Sequence, residues 1–279
     1  MQEIRFNLPR IEKNRVLFSW EPNRVLKQSS YWTEYPDVER LEASPGKLTE
    51  AYFPVCLALS SLPDVELKLP VELPDEVLQN WRAAFAAVSR KLFKTPRDFP
   101  VVNGTLKPDY RSNSGKHTVL FFGGGTESLL TLARLREAGV SPMLASFGGP
   151  LWSGSNPDTN PDKFRMDERV SRELGFPLLR VRTNFKELLY LPAWKPYLVP
   201  GASIINSVTF LPFFISFILP AAEHFEIGRC VSGNEKMNYP DEYFCFSEGL
   251  TPFLARIASG VSYESHLGDI YKEDVCREL

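Results

Sequence analysis

The stretch HTVLFFGGGTESLLTLARLREAG, residues 117–139, decides the fold class of the second half of the chain. Residues 117–122 are a short apolar run typical of a buried strand, and residues 128–139 have the apolar spacing of a helix that stops at Gly139. Gly123, Gly124 and Gly125 stand between them and predict a tight turn. A strand that enters a helix through a glycine turn is a typical opening unit of a parallel α/β sheet.

The same alternation of strand and helix continues after residue 139. Short helix-separated strands predict a mostly parallel sheet with helices on both faces. We therefore expect a Rossmann-like α/β domain over residues 113–279. Its further predicted strands cover residues 141–147, 176–183 and 226–233, and its further helices cover residues 163–175 and the uncharged stretch 208–222.

The first half of the chain, residues 1–112, predicts a smaller α+β domain. Residues 94–116 are rich in Pro, Gly, Asn and Ser and are typical of a linker between the two domains. Before the linker the sequence predicts short strands within residues 1–20 and near SSYWTEY, a helix over 48–61, a strand over 64–73 and an amphipathic helix over 75–93.

Composition narrows the class of protein. Of the 279 residues 43% are hydrophobic and 24% are charged, which is typical of a globular chain with a substantial core. The net charge of −2 gives no overall attraction to nucleic acid, so a nucleic-acid partner is disfavoured. The four cysteines are widely spaced without a CxxC pair, which argues against a cysteine-based zinc or redox site.

Two segments bear on localisation. The charged N-terminal stretch MQEIRFNLPRIEKNR has no apolar centre, so the sequence predicts no signal peptide and a cytoplasmic protein. Residues 197–222 carry no charge, but the polar residues among them and the interruptions at Pro212 and Pro220 favour a helix buried in the domain over a membrane span.

The glycine turn has the chemistry of a phosphate site. Consecutive glycines let backbone N–H groups approach a ligand without obstruction by Cβ, and the first turn of the following helix adds unpaired amides and a partial positive charge. Thr126 and Ser128 add hydroxyl groups. Together these features predict binding of a phosphate-bearing ligand at residues 123–128.

Three other interpretations of the turn were weighed. A Walker A loop fails because Gly115-Lys116 precedes the strand and is followed by His117. A dinucleotide fingerprint would need glycine in place of Ser128 and an acidic residue at the end of the next strand, where Ser146, Phe147 and Gly148 stand instead. A glycine turn that merely fits a tight corner stays open as the structural alternative.

The stretch 123–128 resembles the PP-loop of the N-type ATP pyrophosphatases, whose pattern is SGGxDS after the first strand. Gly124, Gly125 and Ser128 match the pattern, whereas Gly123 replaces the serine and Glu127 replaces the aspartate. The resemblance implies an adenine nucleotide alpha hydrolase-like fold that binds ATP with Mg²⁺. In that superfamily the loop grips the β- and γ-phosphates of ATP, and the substrate attacks the α-phosphate.

Two branches of that superfamily share further segments with this chain. Residues 264–279 resemble a segment of the 7-cyano-7-deazaguanine synthases. The form GGGxxS, the segment from Val199-Pro200 to Ser207 and the strand end Gly233-Asn234-Glu235 resemble the ATP-dependent muramoyl-dipeptide glutamate epimerase. The deazaguanine enzymes carry a zinc-binding cysteine cluster, and the sequence as given has none, which argues against that particular reaction.

The motifs supply a set of candidate site residues. We expect Glu127, Glu235 and Lys236 to act in catalysis, with Glu127 also holding Mg²⁺. Ser146 and Phe147 resemble the position that contacts adenine in this fold. The predicted nucleotide-binding residues are Gly123, Gly124, Gly125, Thr126, Glu127, Ser128, Ser146 and Phe147.

The function expected from these residues is ATP-dependent adenylation of a small-molecule substrate at a carboxylate, with release of pyrophosphate. A non-catalytic module that senses ATP or AMP is the alternative from another class, and a tRNA-modifying PP-loop protein is a third. The sequence identifies neither the substrate nor the oligomeric state, and a homo-oligomer stays open.

Overall fold

The computed structural model describes residues 1–22, 28–111, 113–148, 161–188, 194–234, 244–246, 250–268 and 271–278. The strands within these ranges are β1 (Gln2–Arg5), β2 (Arg10–Glu12), β3 (Arg15–Ser19), β4 (Ser30–Glu34), β5 (Val65–Lys68), β6 (Val101–Val102), β7 (His117–Phe121), β8 (Met143–Gly148), β9 (Leu178–Thr183), β10 (Ile227–Ser232) and β11 (Ser262–Ser265).

Helices cover most of the segments between these strands. They are α1 (Pro45–Glu50), α2 (Phe53–Leu59), α3 (Asp75–Leu92), α4 (Thr126–Glu137), α5 (Pro161–Leu174), α6 (Phe185–Leu188), α7 (Phe210–Ala222), α8 (Thr251–Leu254) and α9 (Lys272–Glu278). A π-helix over Ile204–Thr209 runs directly into α7, and a short 3-10 helix covers Phe244–Phe246.

The larger sheet has the order β11-β10-β7-β8-β9-β4-β3-β2. Its strands from β11 to β9 are all parallel to their neighbours, which confirms the expected α/β class with a largely parallel sheet. The strands β4, β3 and β2 extend the same sheet in antiparallel fashion, and Thr33 of β4 pairs with Thr183 of β9. The first half of the chain therefore contributes three strands to one end of the sheet of the second half, and β2 forms the edge.

A smaller parallel sheet, of order β1-β5-β6, involves the segment expected to be a linker. Its third strand, Val101–Val102, lies within residues 94–116 and pairs with Leu67 and Lys68. One hydrophobic cluster contains buried residues from both halves, and the hydroxyl of Tyr35 donates a hydrogen bond of 2.7 Å to the carbonyl of Phe217. The division of the chain at residue 112 stays a prediction.

The prediction of one helix over residues 48–61 is wrong in its continuity. The structure has two short helices, α1 and α2, separated at Ala51 and Tyr52. Pro54 lies in the first turn of α2. Proline has no amide hydrogen to donate to a carbonyl four residues earlier, so a continuous helix through this position would lose that bond and clash with the carbonyl.

Helix α7 accounts for the uncharged stretch of the sequence. Residues Ile204–Ala222 have a mean hydropathy of 1.9 and are long enough to cross a membrane, but 89% of their apolar window is buried inside the fold. The helix packs among α1, α2 and β10. Burial of this face within the protein agrees with the expectation of a core helix.

The position of β7 defines where a ligand can enter. β7 lies between β8 on one side and β10 on the other, and the chain forms β8 and β9 before it returns to β10. The strand order therefore reverses between β7 and β10. In open parallel sheets a crevice forms at such a point, outside the carboxyl ends of the strands.

Candidate functional site

A cavity of about 280 Å³ opens at the carboxyl ends of β7, β8 and β10. Its volume is just below the range of roughly 300–1,000 Å³ that is usual for small-molecule sites. The described lining residues are Phe121, Phe122, Gly123, Gly125, Glu127, Ser128, Phe147, Phe210, Leu211, Phe214, Ser232, Gly233 and Asn234. The cavity thus joins the glycine turn to an aromatic wall and to the end of β10.

The amides of the glycine turn are available to a ligand. Among the described residues, no oxygen accepts a hydrogen bond from the amides of Gly123, Gly124, Gly125 or Thr126. The amide of Leu129 donates to the carbonyl of Gly125 at 3.1 Å and begins the ladder of α4. Unpaired amides at the start of a helix attract an anion through their hydrogens and through the helix dipole.

The three glycines have different surroundings. Gly124 has φ +71, and a Cβ built on it would lie 2.2 Å from Cε of Met166 and 3.3 Å from Oδ1 of Asp167, so helix α5 packs against this residue. Gly123 has no atom within 4 Å of such a Cβ. The middle glycine is therefore required by conformation and packing, whereas the first is open to the cavity.

Glu127 folds back over the turn. Its Oε2 lies 2.9 Å from the position that a Cβ on Gly125 would occupy, which brings the carboxylate to the cavity. The hydroxyl of Ser128 donates to the carbonyl of Gly125 at 2.9 Å, so this hydrogen is used within the turn and is not available to a ligand. Thr126 begins α4 and is half-buried.

An aromatic wall faces the glycine turn across the cavity. Phe214 lies at its centre, with ring centroids 4.6 Å from Phe147, 5.0 Å from Phe210 and 5.8 Å from Phe121. Phe121 and Phe147 stand on neighbouring strands, whereas Phe210 and Phe214 lie one turn apart on α7. Such a wall favours a flat, apolar group.

The two residues predicted to contact adenine separate in the structure. Phe147 is buried and lines the cavity. Ser146 is fully buried, does not line the cavity, and its hydroxyl donates to Oδ2 of Asp167 on α5. Alternation along β8 explains the difference, because successive side chains on a strand point to opposite faces of the sheet.

The end of β10 touches the first turn of α4. A Cβ on Gly233 would lie 2.4 Å from Oγ1 of Thr131 and 2.5 Å from the carbonyl oxygen of Glu127, so only glycine permits this approach. The next residue, Asn234, therefore stands beside the helix start. Glu235 and Lys236, the other predicted catalytic residues, lie outside the described residues.

A network of polar side chains forms hydrogen bonds at the end of β10. The hydroxyls of Ser232 and Tyr263 are 2.6 Å apart, and Nδ2 of Asn234 donates to them at 2.7 and 3.2 Å. Burial raises the pKa of Tyr263 well above its usual value, so its hydroxyl stays protonated. Ser265 donates to the backbone carbonyl of Asn234 at 3.0 Å.

The described residues offer few candidate ligands for a metal ion. No group of three or more His, Cys, Asp and Glu side chains that could hold an ion occurs within the described ranges. Glu127 is the carboxylate among the described lining residues of the cavity. A Mg²⁺ ion at this site would take one protein ligand here and its other oxygens from phosphates and water, a common arrangement for this ion.

Phe210, Phe214 and Asn234 are site residues that local sequence patterns do not predict. The spacing of Phe210 and Phe214 by four residues places both on one helix face, but nearly all residues of that helix are apolar, so periodicity does not distinguish this face. Asn234 stood in a recognised motif, but its role depends on Tyr263, which is distant in sequence.

Comparison with known proteins identifies no family. No protein-family profile matches the sequence, and no curated protein matches it. Among solved structures, the chain is similar to the crystal structure of a predicted subunit of tRNA methyltransferase from Methanocaldococcus jannaschii, with a TM-score of 0.33 and 14% identity over 58% of this chain and 72% of that chain. A similarity this low supports neither a common fold nor a common function.

Proposed function

We propose that the chain binds ATP at residues 123–128 and adenylates a small-molecule carboxylate, with release of pyrophosphate. The observation that carries the proposal is the set of amides at Gly123, Gly124, Gly125 and Thr126, for which no described residue is an acceptor, at the edge of a cavity. The strand order is the second support, because this cavity lies where the order reverses beside the first parallel strand of the domain. We also propose that residues 113–279 have an adenine nucleotide alpha hydrolase-like fold.

The proposed chemistry uses the chain mainly for positioning. A carboxylate oxygen of the substrate attacks the α-phosphorus, the bond to the β-phosphate oxygen breaks, and pyrophosphate leaves with the electron pair. The loop amides and the dipole of α4 would stabilise the charge on the phosphates in the transition state. Mg²⁺, when bound, would neutralise part of this charge, and Glu127 would hold it.

The test uses the open position Gly123. Replacing it by Asp introduces a negative charge in the phosphate path without a steric clash, since no atom lies within 4 Å of a Cβ there. Gly123→Asn has the same shape without the charge and is the matched control. We expect calorimetric titration with ATP and Mg²⁺ to show binding to wild type, and binding to Gly123→Asp at least about tenfold weaker than to Gly123→Asn, which has the same bulk.

Pyrophosphate release completes the test. An adenylating enzyme supplied with its substrate produces AMP and pyrophosphate, whereas a sensor binds ATP and produces neither. If wild type binds neither ATP nor AMP, the proposed nucleotide site is wrong. If Gly123→Asp binds ATP as tightly as Gly123→Asn, the ligand does not use this turn.

A further inference from the structure

We infer that Asn234 selects a carboxylate substrate that carries a hydrogen-bond donor on the carbon next to the carboxylate and an apolar ring or chain beyond it, as in an apolar 2-amino or 2-hydroxy acid. This inference deepens the proposed adenylation and rests on it for the identity of the second ligand. Its geometric basis is the Asn234 side chain and the cavity that it lines.

Two hydroxyl groups fix the orientation of the Asn234 carboxamide. Nδ2 donates to the hydroxyls of Ser232 at 2.7 Å and Tyr263 at 3.2 Å, and because these two oxygens are only 2.6 Å apart, they share one N–H of the carboxamide. Both hydroxyl-bearing residues are almost completely buried and lie 2.6 Å from each other, so they form a fixed support. The carboxamide is therefore held with its oxygen turned away from the support.

Oδ1 of Asn234 is the acceptor that we assign to the ligand. Within the described part of the chain, no group donates a hydrogen bond to Oδ1 of Asn234, although Asn234 lines the cavity. A carbonyl oxygen fixed in a partly closed site favours a ligand with an N–H or O–H group at that point. A ligand without such a group leaves the oxygen desolvated and unpaired, and this penalty is the source of selectivity.

The position of Asn234 limits where the ligand can carry its hydrogen-bond donor. Gly233 touches the carbonyl oxygen of Glu127 in the first turn of α4, so Asn234 stands immediately beside the turn that is proposed to bind phosphate. A substrate carboxylate that attacks the α-phosphate must also lie there. The donor that reaches Asn234 must therefore be close to the carboxylate, on the adjacent carbon.

The wall of the cavity constrains the remainder of the substrate. Phe210, Phe214 and Leu211 line the cavity, and charged side chains are absent from this wall among the described lining residues. An aromatic or branched aliphatic group would gain from contact with these rings, whereas a charged group would lose its hydration. Together the wall and Asn234 define an apolar acid with a 2-amino or 2-hydroxy group.

The experiment uses a matched series of three acids, L-phenylalanine, L-3-phenyllactate and 3-phenylpropanoate. They share the ring and the carboxylate and differ only in the ammonium, hydroxyl or hydrogen at the second carbon. Calorimetry would measure their binding to the full chain, with and without an ATP analogue that cannot be cleaved between the α- and β-phosphates. We expect wild type to bind the first two acids about tenfold or more tighter than 3-phenylpropanoate.

Variants assign the discrimination to Asn234. In Asn234→Ala we expect the ratio of affinities between the first two acids and 3-phenylpropanoate to fall to about one. In Tyr263→Phe the ring remains beside Phe121, with centroids 6.2 Å apart, and only the supporting hydroxyl is lost, so the ratio should fall partway. Asn7→Ala removes a carboxamide that does not line the cavity and should keep the wild-type ratio.

Three outcomes would overturn the inference. Equal binding of all three acids to wild type would show that the oxygen of Asn234 does not face the ligand. A wild-type ratio in Asn234→Ala would assign the selection to another group. Failure of every acid to bind wild type would reject the substrate class. The ATP titration is separate, so failure of nucleotide binding is distinguished from failure of acid selection.

Discussion

A Cβ built on Gly233 would lie only 2.5 Å from the carbonyl oxygen of Glu127, so the end of β10 and the first turn of α4 are in direct backbone contact. This contact joins the two loops at the point where the strand order reverses. It also fixes Asn234 beside the amides of the glycine turn. The geometry of the candidate site therefore depends on a residue that has no side chain.

Replacement of Gly233 by Ala should disrupt this contact. The added methyl group meets backbone at Glu127 and the hydroxyl of Thr131, so β10 or α4 must shift. We expect the free energy of unfolding to fall by about 1–3 kcal/mol, as for overpacking in a core, and the affinity for ATP to fall with it. Urea denaturation and calorimetry would measure the two effects. Gly123→Ala, where a methyl group meets no atom within 4 Å, should change stability little, and equal losses in the two variants would contradict the prediction.

Replacement of Phe147 by Leu tests the predicted contact with adenine. Phe147 packs edge-to-face on Phe121 and Phe214 and lines the cavity. Loss of an aromatic contact costs about 0.5–1.5 kcal/mol, which corresponds to an affinity for ATP lower by up to about tenfold. The affinity for inorganic pyrophosphate should remain unchanged, because this probe has no ring. A parallel loss for both probes would show instead that the substitution distorts the glycine turn.

Substitution of the glycine turn towards the PP-loop pattern tests the proposed ATP site. In the double variant Gly123→Ser/Glu127→Asp the loop becomes SGGTDS, and the serine occupies open space. One added hydrogen bond contributes about 0.5–1.5 kcal/mol, so we expect ATP affinity or the rate of pyrophosphate release to rise by about two- to tenfold. The single variants Gly123→Ser and Glu127→Asp are the controls for the double variant. A double variant that loses ATP binding would argue that the resemblance to the PP-loop is coincidental.

The buried pair Lys47 and Glu50 predicts a pH effect on stability. Burial raises the pKa of Glu50, although Nζ of Lys47 lies 2.7 Å from its Oε2 and opposes this rise. A carboxyl whose pKa is higher in the folded chain stabilises the fold fully below its ordinary pKa, near 4.5, and this contribution is lost as the pH rises through the raised value. In Lys47→Met the opposing attraction is gone, so the loss should be larger and extend to higher pH.

Urea denaturation between about pH 5 and pH 8 would measure this effect. Lys47→Met should lose several kcal/mol at the upper end of this interval, as expected for a buried charge without its partner. The double variant Lys47→Met/Glu50→Gln has no titrating carboxyl at this position and serves as the control. A single variant whose stability shows the same pH dependence as the double variant would contradict the raised pKa.

Much of the secondary structure of the second half could be predicted from the sequence. The predicted strands at 117–122, 141–147, 176–183 and 226–233 correspond to β7, β8, β9 and β10, with ends that differ by a few residues. Short apolar runs separated by amphipathic helices carry a strong local signal. The predictions for the first half were less complete, because the pairing of β4 with β9 joins segments far apart in sequence.

The residues of the candidate site likewise fall into two groups: those that the sequence predicts and those that only the tertiary structure brings together. The glycine turn could be recognised locally, since three consecutive glycines between a strand and a helix are a property of adjacent residues. Ser146 was expected to contact the ligand. Its burial against Asp167 could not be foreseen, because Ser146 lies on β8 and Asp167 lies on α5, 21 residues later. Phe210 and Phe214 became part of the site only through the position of α7 against β7 and β8.

The sequence by itself determined the α/β class, the glycine turn after β7 and the apolar nature of residues 204–222, because each depends on residues that are neighbours along the chain. The tertiary structure alone decided which side chains meet. It set the approach of Gly233 to Glu127, the support of Asn234 by Tyr263 and the aromatic wall opposite the turn. These contacts depend on strand order and packing, which no local pattern of residues specifies.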